Sequence, residues 1–319
     1  MEYISEFLPK FFSVNHPSHE HEHSSILQGE GNGKPDKNSN LLGCPSQNGI
    51  LPLAKSSFDV LGIEWSLPGH GDPYSDCGSW RKRGCLNVDE HLNDGLFEDI
   101  AGKVYVEMYR RSCVRAECPV CYEKWAGKEA SKIEYRLSCV GRSMGMAIHL
   151  IVSPSNQDVY GLSYDVLRRK AYLIVRKNGF LGGSSIFHPF RENDAGLWYF
   201  SPHFHMIGYG WIHGTKEGYQ EHGWIVKNAG IRESISATAM YQLSHCGVHE
   251  KYTSVTWFGR LSYNKLKVAP MPREKHECPA CGSQLRELLY YGVSNLPRAE
   301  VGFWADPEGW IYKPKPDYG

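Results

Sequence analysis

The chain of 319 residues carries 35 Lys+Arg against 35 Asp+Glu, and 41% of it is hydrophobic, enough for the core of two domains or of one domain with insertions. No run of eighteen apolar residues occurs, so no segment has the length and apolarity of a membrane helix. A formal net charge of zero argues at first against a nucleic-acid partner, which usually announces itself by a basic excess.

The chain opens on MEYISEFLPKFF, without a basic stretch or a small-residue cleavage site, so a cytoplasmic protein is expected. Its ten cysteines then read as metal-binding thiolates in place of disulfides. Residues 15 to about 48 are rich in Gly, Ser, Asn, Pro and His and almost lack aromatics, and the N-terminal segment 1–55 is expected to stay disordered. Its run His16, His19, His21, His23 is not read as a dedicated metal site. The segment 56–140 is cysteine-dense and ends in a helix over 122–140, where Trp125, Ala126, Ile133 and Leu137 recur at helical spacing. A strand follows over about 144–152, stopped by Ser153–Pro154, and then a helix from Ser163, its N-cap, to Gly179. Strands 184–190 and 197–211 form a hairpin joined through Glu192–Gly196. A helix over 235–246, closed by Gly247, and a strand over 254–262 complete the region 141–268. The order strand, helix, strand, strand, helix, strand specifies an α+β fold with an antiparallel sheet flanked by helices, because the hairpin is too short for a parallel crossover. The remainder, 269–319, holds a CPACG knuckle and an aromatic tail.

Within the second hairpin strand, His203-Phe204-His205 sends two imidazoles to one face, close enough to chelate one divalent ion. Downstream, Tyr241 lies mid-helix with Ser244 and His245 at i+3 and i+4 on its own face. A tyrosine that attacks a phosphodiester needs a group to handle its proton and a cation to neutralise the phosphoryl oxygens. Taken singly, the histidines suit a half-buried strand and Tyr241 a core aromatic; together they suit phosphoryl transfer.

The strings HFHMIGYG and YQLSH resemble the HUH endonucleases, the rolling-circle replication initiators named for His-hydrophobic-His. HLIVSPS at 149–155 resembles the first motif of that family. GGSSIFHPFRENDAGLWYFSPHFHMIGYG and AECPVCYEKWAGKEA resemble initiators of archaeal plasmids and viruses, and the likeness covers roughly 75–268. The resemblance implies a HUH nuclease core over 141–268, with His203 and His205 binding Mg²⁺ or Mn²⁺. It also implies that Tyr241 cuts one strand of origin DNA, stays on the 5′ phosphate and leaves a 3′ hydroxyl as primer, in a one-tyrosine scheme. Many initiators carry Lys three or four residues after the tyrosine; here stand Ser244 and His245, and His245 is expected to take over that role. A third metal ligand is expected from His188, given a strand bulge for which Pro202 offers a reason, with His149 and Glu192 as alternates.

Cys118-Pro-Val-Cys121 and Cys278-Pro-Ala-Cys281-Gly282 are knuckles that point two thiolates at one ion, and structural Zn²⁺ is the favoured reading. The first site is expected from Cys85, Cys113, Cys118 and Cys121, with Cys77 as competitor. Cys278 and Cys281 need two more ligands, from His276, Cys77 or the first knuckle. Cys44, Cys139 and Cys246 read as ordinary small residues. Lys124 and Lys128 follow the first knuckle on one helical face and are candidates for phosphate contact.

The zero net charge also hides a division. Residues 1–60 hold 4 basic and 7 acidic side chains, whereas 142–191 hold 7 against 2 and 251–275 hold 6 against 1. Two basic stretches thus bracket the histidine pair and suit a polyanion. GEGNGKP at 29–35 lacks the spacing of a phosphate loop, so no ATP site is expected, and origin unwinding is left to a host helicase and the host replication machinery. Two further readings stand beside the initiator: a non-catalytic zinc-dependent DNA-binding protein, and a single-tyrosine transposase of the same fold.

Overall fold

The computed structural model describes residues 65–92, 100–140, 144–272 and 274–314. The segment expected to be disordered, 1–55, with its histidine run and Cys44, lies outside the described residues. In chain order the elements are β1 (Trp80–Cys85), β2 (Val104–Arg110), α1 (Tyr122–Ser138), β3 (Ile148–Ser153), α2 (Asn156–Gly161), α3 (Tyr164–Lys177), β4 (Phe180–Glu192) and β5 (Trp198–Gly210). There follow α4 (Thr215–His222), β6 (Ile225–Ile231), α5 (Ile235–Leu243), β7 (Val255–Gly259), β8 (Arg286–Tyr290), β9 (Val301–Ala305) and β10 (Trp310–Tyr312).

The strands form two antiparallel sheets of five, in the orders β6-β3-β5-β4-β7 and β10-β8-β1-β2-β9. The first is covered on both sides. One face carries Leu150, Val152, Phe187, Phe204 and Met206 and is capped by Leu167, Ala171, Ile174 and Val175, the inward stripe of α3. The other carries Ile186, Ile207 and Tyr209 beneath Ala126, Ala130, Ile133 and Leu137 of α1 and Ala239 and Leu243 of α5. Spacing by three and four on α1 and α3 puts each set on one face, and burial of that face holds the helices down. Double coverage is why β4 and β5 are buried almost continuously, without the alternation of a half-exposed strand. At the β4–β5 contact, Gly183 faces Gly208, and a methyl on either would run into the opposite backbone.

The mixed fold with antiparallel pairing agrees with the α+β expectation; the second sheet was not expected. β1 and β2 come from the cysteine-dense segment and β8, β9 and β10 from the far end of the chain, so 56–140 and 269–319 build one sheet together. The edge strand β6 and helices α2 and α4 were also unanticipated; Ser155 caps α2 by accepting from the Asp158 N–H at 3.3 Å. β3 begins at Ile148 and not near 144, because Gly145 takes a left-handed φ of 82°. α5 ends at Leu243 in place of Cys246, since the chain must turn for the Gly247 N–H to reach the Phe187 carbonyl at 2.7 Å. Among the described residues no helix is long and apolar enough to cross a membrane.

Candidate active site and metal-ligand clusters

The β4–β5 register decides which side chains meet. A tight hairpin centred on Asp194 would set His188 opposite Phe200. The turn instead lies one residue later: the Asn193 side-chain oxygen accepts from the Ala195 and Leu197 N–H groups at 3.0 and 2.9 Å, and Gly196 takes φ 74°. Phe190 therefore faces Phe200, and an extra residue at Ser201–Pro202 shifts the ladder once more, so that His188 faces His203. Ile186 faces His205 on the same side. The ladder thus gathers His188, His203 and His205, whose ligand atoms lie within 4.8 Å of one another. Ring centroids are 5.2 Å apart for 188–203, 4.3 Å for 188–205 and 5.0 Å for 203–205. The alternate Glu192 sits at the exposed hairpin end, outside this cluster.

All three imidazoles are buried, and burial first, then neighbouring positive charge, holds each below the ordinary histidine range, His203 down to about 3. They are neutral imidazoles at physiological pH. The His203 Nδ1–H donates to the Ser201 carbonyl at 2.8 Å, which leaves a lone pair on Nε2. Neither ring nitrogen of the fully buried His188 has a hydrogen-bond partner. An imidazole so placed carries a desolvation cost that a metal ion would offset, and this is the observation that fits a cation to the cluster. His149, the other alternate, lies behind it: its Nε2 is 2.8 Å from His205 Nδ1, and Arg232 donates to its Nδ1 at 3.1 Å. It therefore touches His205 from outside the cluster.

Tyr241 and His245 reach this face from α5 and the residues just after it. The His245 ring stands edge-on to His188 at 4.5 Å and lies 4.7 Å from the Tyr241 ring, so it bridges the tyrosine and the cluster. Tyr241 itself is 68% exposed, unusual for a core aromatic. Ser244, the other residue on that face, donates back to the Tyr241 carbonyl at 2.7 Å.

The cysteines form two separate clusters. Cys77, Cys113, Cys118 and Cys121 converge with ligand atoms within 4.8 Å. The Cys118–Cys121 turn is closed by the Cys121 and Tyr122 N–H groups on the Cys118 carbonyl at 3.1 and 3.0 Å and feeds directly into α1. Burial pushes the Cys121 thiol up, but hydrogen bonds from Ser112 and from the backbone at Cys113 outweigh it and hold the thiol at about 6. Val114 follows Cys113 at φ 51°, a left-handed conformation that a β-branched residue adopts only under constraint.

Cys85, His91, Cys278 and Cys281 make the second cluster. The expectation for Cys85 is thereby corrected: it stands at the end of β1, which pairs with β8, and so faces the C-terminal knuckle while Cys77 completes the first set. His276 belongs to neither cluster. His91 was missed by sequence reading, and its only signal was a place six residues after Cys85 in a cysteine-dense stretch. Its Nδ1–H donates to the Lys103 carbonyl at 2.7 Å, and its Nε2 lies 3.3 Å from Cys278 Sγ. A backbone anchor on one ring nitrogen and a cysteine sulfur beside the other suit a ligating histidine. Both clusters are compatible with metal binding. Cys139 is exposed and Cys246 buried, and neither joins a cluster. No family model, no curated protein and no solved structure matches the chain.

Proposed function

We propose that this chain is a rolling-circle replication initiator of the HUH class, nicking and rejoining one strand of origin DNA through Tyr241. One observation carries the reading: an exposed, helix-borne tyrosine joined through His245 to a buried three-histidine cluster on a sheet. In the forward step the Tyr241 hydroxyl oxygen bonds to phosphorus, the bond from phosphorus to the 3′ oxygen breaks, and His245 takes the phenol proton and returns one to the leaving 3′ oxygen. Joining is the reverse. His188, His203 and His205 would hold Mg²⁺ or Mn²⁺, which when bound neutralises charge on the phosphoryl oxygens. In the cysteine clusters, Cys₄ and Cys₃His are donor sets of structural Zn²⁺. Strand separation at the origin falls to a host helicase.

The test is incubation of the full chain with Mn²⁺ and labelled single-stranded origin DNA, followed by denaturing electrophoresis. A covalent protein–DNA adduct is expected from the native protein and none from Tyr241→Phe. An adduct that survives Tyr241→Phe, or origin binding with no adduct at all, sinks the proposal, and the latter result returns the non-catalytic DNA-binding reading.

A further inference from the structure

Helix α1 has a second use. One side packs on α5, and the other lines an open groove of about 1270 Å³ whose opposite wall is β7 and the segment 262–276. Lys124 and Lys128, one turn apart, are exposed along the helical wall and make no ion pair among the described residues; Lys132 continues the row, paired to Glu129 at 2.5 Å. Lys265 and Lys267 of the facing segment are exposed but do not line the groove, whose wall there includes Glu274. On α3, Arg168 is paired to Asp165, Lys170 to Asp158 and Lys177 to Glu221, while Arg169 and Arg176 are exposed without an ion pair among the described residues. At the groove, Lys124 and Lys128 stand open beside Arg115 and Arg136, against Glu117 and Glu274.

Aromatic rings accompany the charge. Arg136 is buried at the floor, donates to the Leu261 and Leu266 carbonyls, and is bracketed by the rings of Trp257 at 5.0 Å and Tyr263 at 4.7 Å. It fixes the turn that presents Tyr263, 62% exposed, across from Trp125 of α1. Exposed lysines along the helical wall, with the exposed ring of Tyr263 on the facing wall, form the combination that binds single strands, through phosphates and base stacking.

We propose that this groove is a track for single-stranded DNA, separate from the three-histidine cluster and outside the β3–β5 core. From Lys124 to Arg136 the helical wall runs roughly 18 Å, or about five stacked nucleotides. The proposal rests on the nicking reading only for its choice of DNA as the polymer.

Binding of fluorescent oligo(dT) to the full chain, followed by anisotropy over a salt series, tests it. Lys124→Ala with Lys128→Ala should weaken binding roughly 10- to 25-fold at 0.1 M salt and cut the logarithmic salt slope by about 1.4, with recovery in the double Arg variant. Tyr263→Ala should cost roughly fivefold or more without changing that slope. Unchanged affinity and slope in the lysine variant, or equal competition by duplex DNA, overturns the track. Normal oligo(dT) binding with no covalent adduct would overturn the nicking reading and leave the track standing.

Discussion

The histidine cluster and the cysteine clusters gather ligands by opposite means. His188, His203 and His205 sit on adjacent strands of one hairpin, and the backbone ladder with its buried faces sets their spacing. Cys85 and His91 meet Cys278 and Cys281 from the other end of the chain, where β1 and β8 pair through only Arg83–Glu287 and Gly84–Arg286. The small core beside that cluster consists of Cys85, Cys278 and Leu285. A fold-organised site can lose its ion and keep its shape, whereas a site that ties distant segments together needs the ion to exist.

Replacing a ligand in each region breaks that comparison most forcefully. Cys281→Ser should destabilise the second sheet by more than about 4 kcal/mol, the range of lost metals and disulfides, and hydrogen exchange should rise in β1 and β8. His203→Ala should cost about 1–3 kcal/mol, from lost burial and an unpartnered Ser201 carbonyl, while abolishing adduct formation with the β4–β5 ladder still protected. Equal destabilisation in the two variants would refute the distinction.

The same contrast explains what the sequence disclosed. The hairpin, the histidine pair and the tyrosine helix were legible because each is a local pattern, and the bulge that sets His188 was foreshadowed by Pro202. The second sheet was not legible. Val104, Val106 and Met108 alternate with half-exposed residues in β2, a true strand signal, but cysteines dominate that segment and its partner β9 lies near the other end of the chain. Local pattern carries no information on such pairing. His91 shows the same limit, since a lone histidine becomes a ligand only when β1 and the C-terminal knuckle meet. The hairpin register was misjudged by turn chemistry, because Asn193 organises a loop ending at Leu197.

A buried cysteine outside the clusters sharpens the comparison at moderate scale. Cys246 is fully buried, and burial pushes its thiol up to about 12, against a partial opposing hydrogen bond with Ser254. Its folded pKa lies above the ordinary value of 9.0, so it favours the native state fully below pH 9, and that contribution is lost as pH rises toward 12. Unfolding free energies from urea titration should therefore fall more between pH 8 and pH 10 for the native protein than for Cys246→Ala, by about 1.4 kcal/mol over that interval. Parallel curves would show that the thiol ionises without cost and that the segment after α5 opens readily.

The smallest effect concerns His205, where the histidine cluster departs from its own rule. His203 and His91 each spend Nδ1–H on a backbone carbonyl and so carry no proton on Nε2. His205 instead has His149 at its Nδ1, and His149 has Arg232. A guanidinium only donates, so His149 Nδ1 accepts, and the proton of this neutral ring lies on Nε2, facing His205. His205 then accepts at Nδ1 and, being neutral, carries its own proton on Nε2, the atom a cation needs. Ligation by His205 requires the relay to reverse, which Arg232 opposes both as an obligate donor and as a nearby positive charge. Arg232→Leu removes both obstacles and should tighten Mn²⁺ binding by about tenfold, the equivalent of one hydrogen bond of roughly 1.4 kcal/mol, as read by calorimetric titration. A loss of 10- to 100-fold would instead mean that Arg232 and His149 hold His205 in its ligating pose, and that the proton shifts along the relay at little cost.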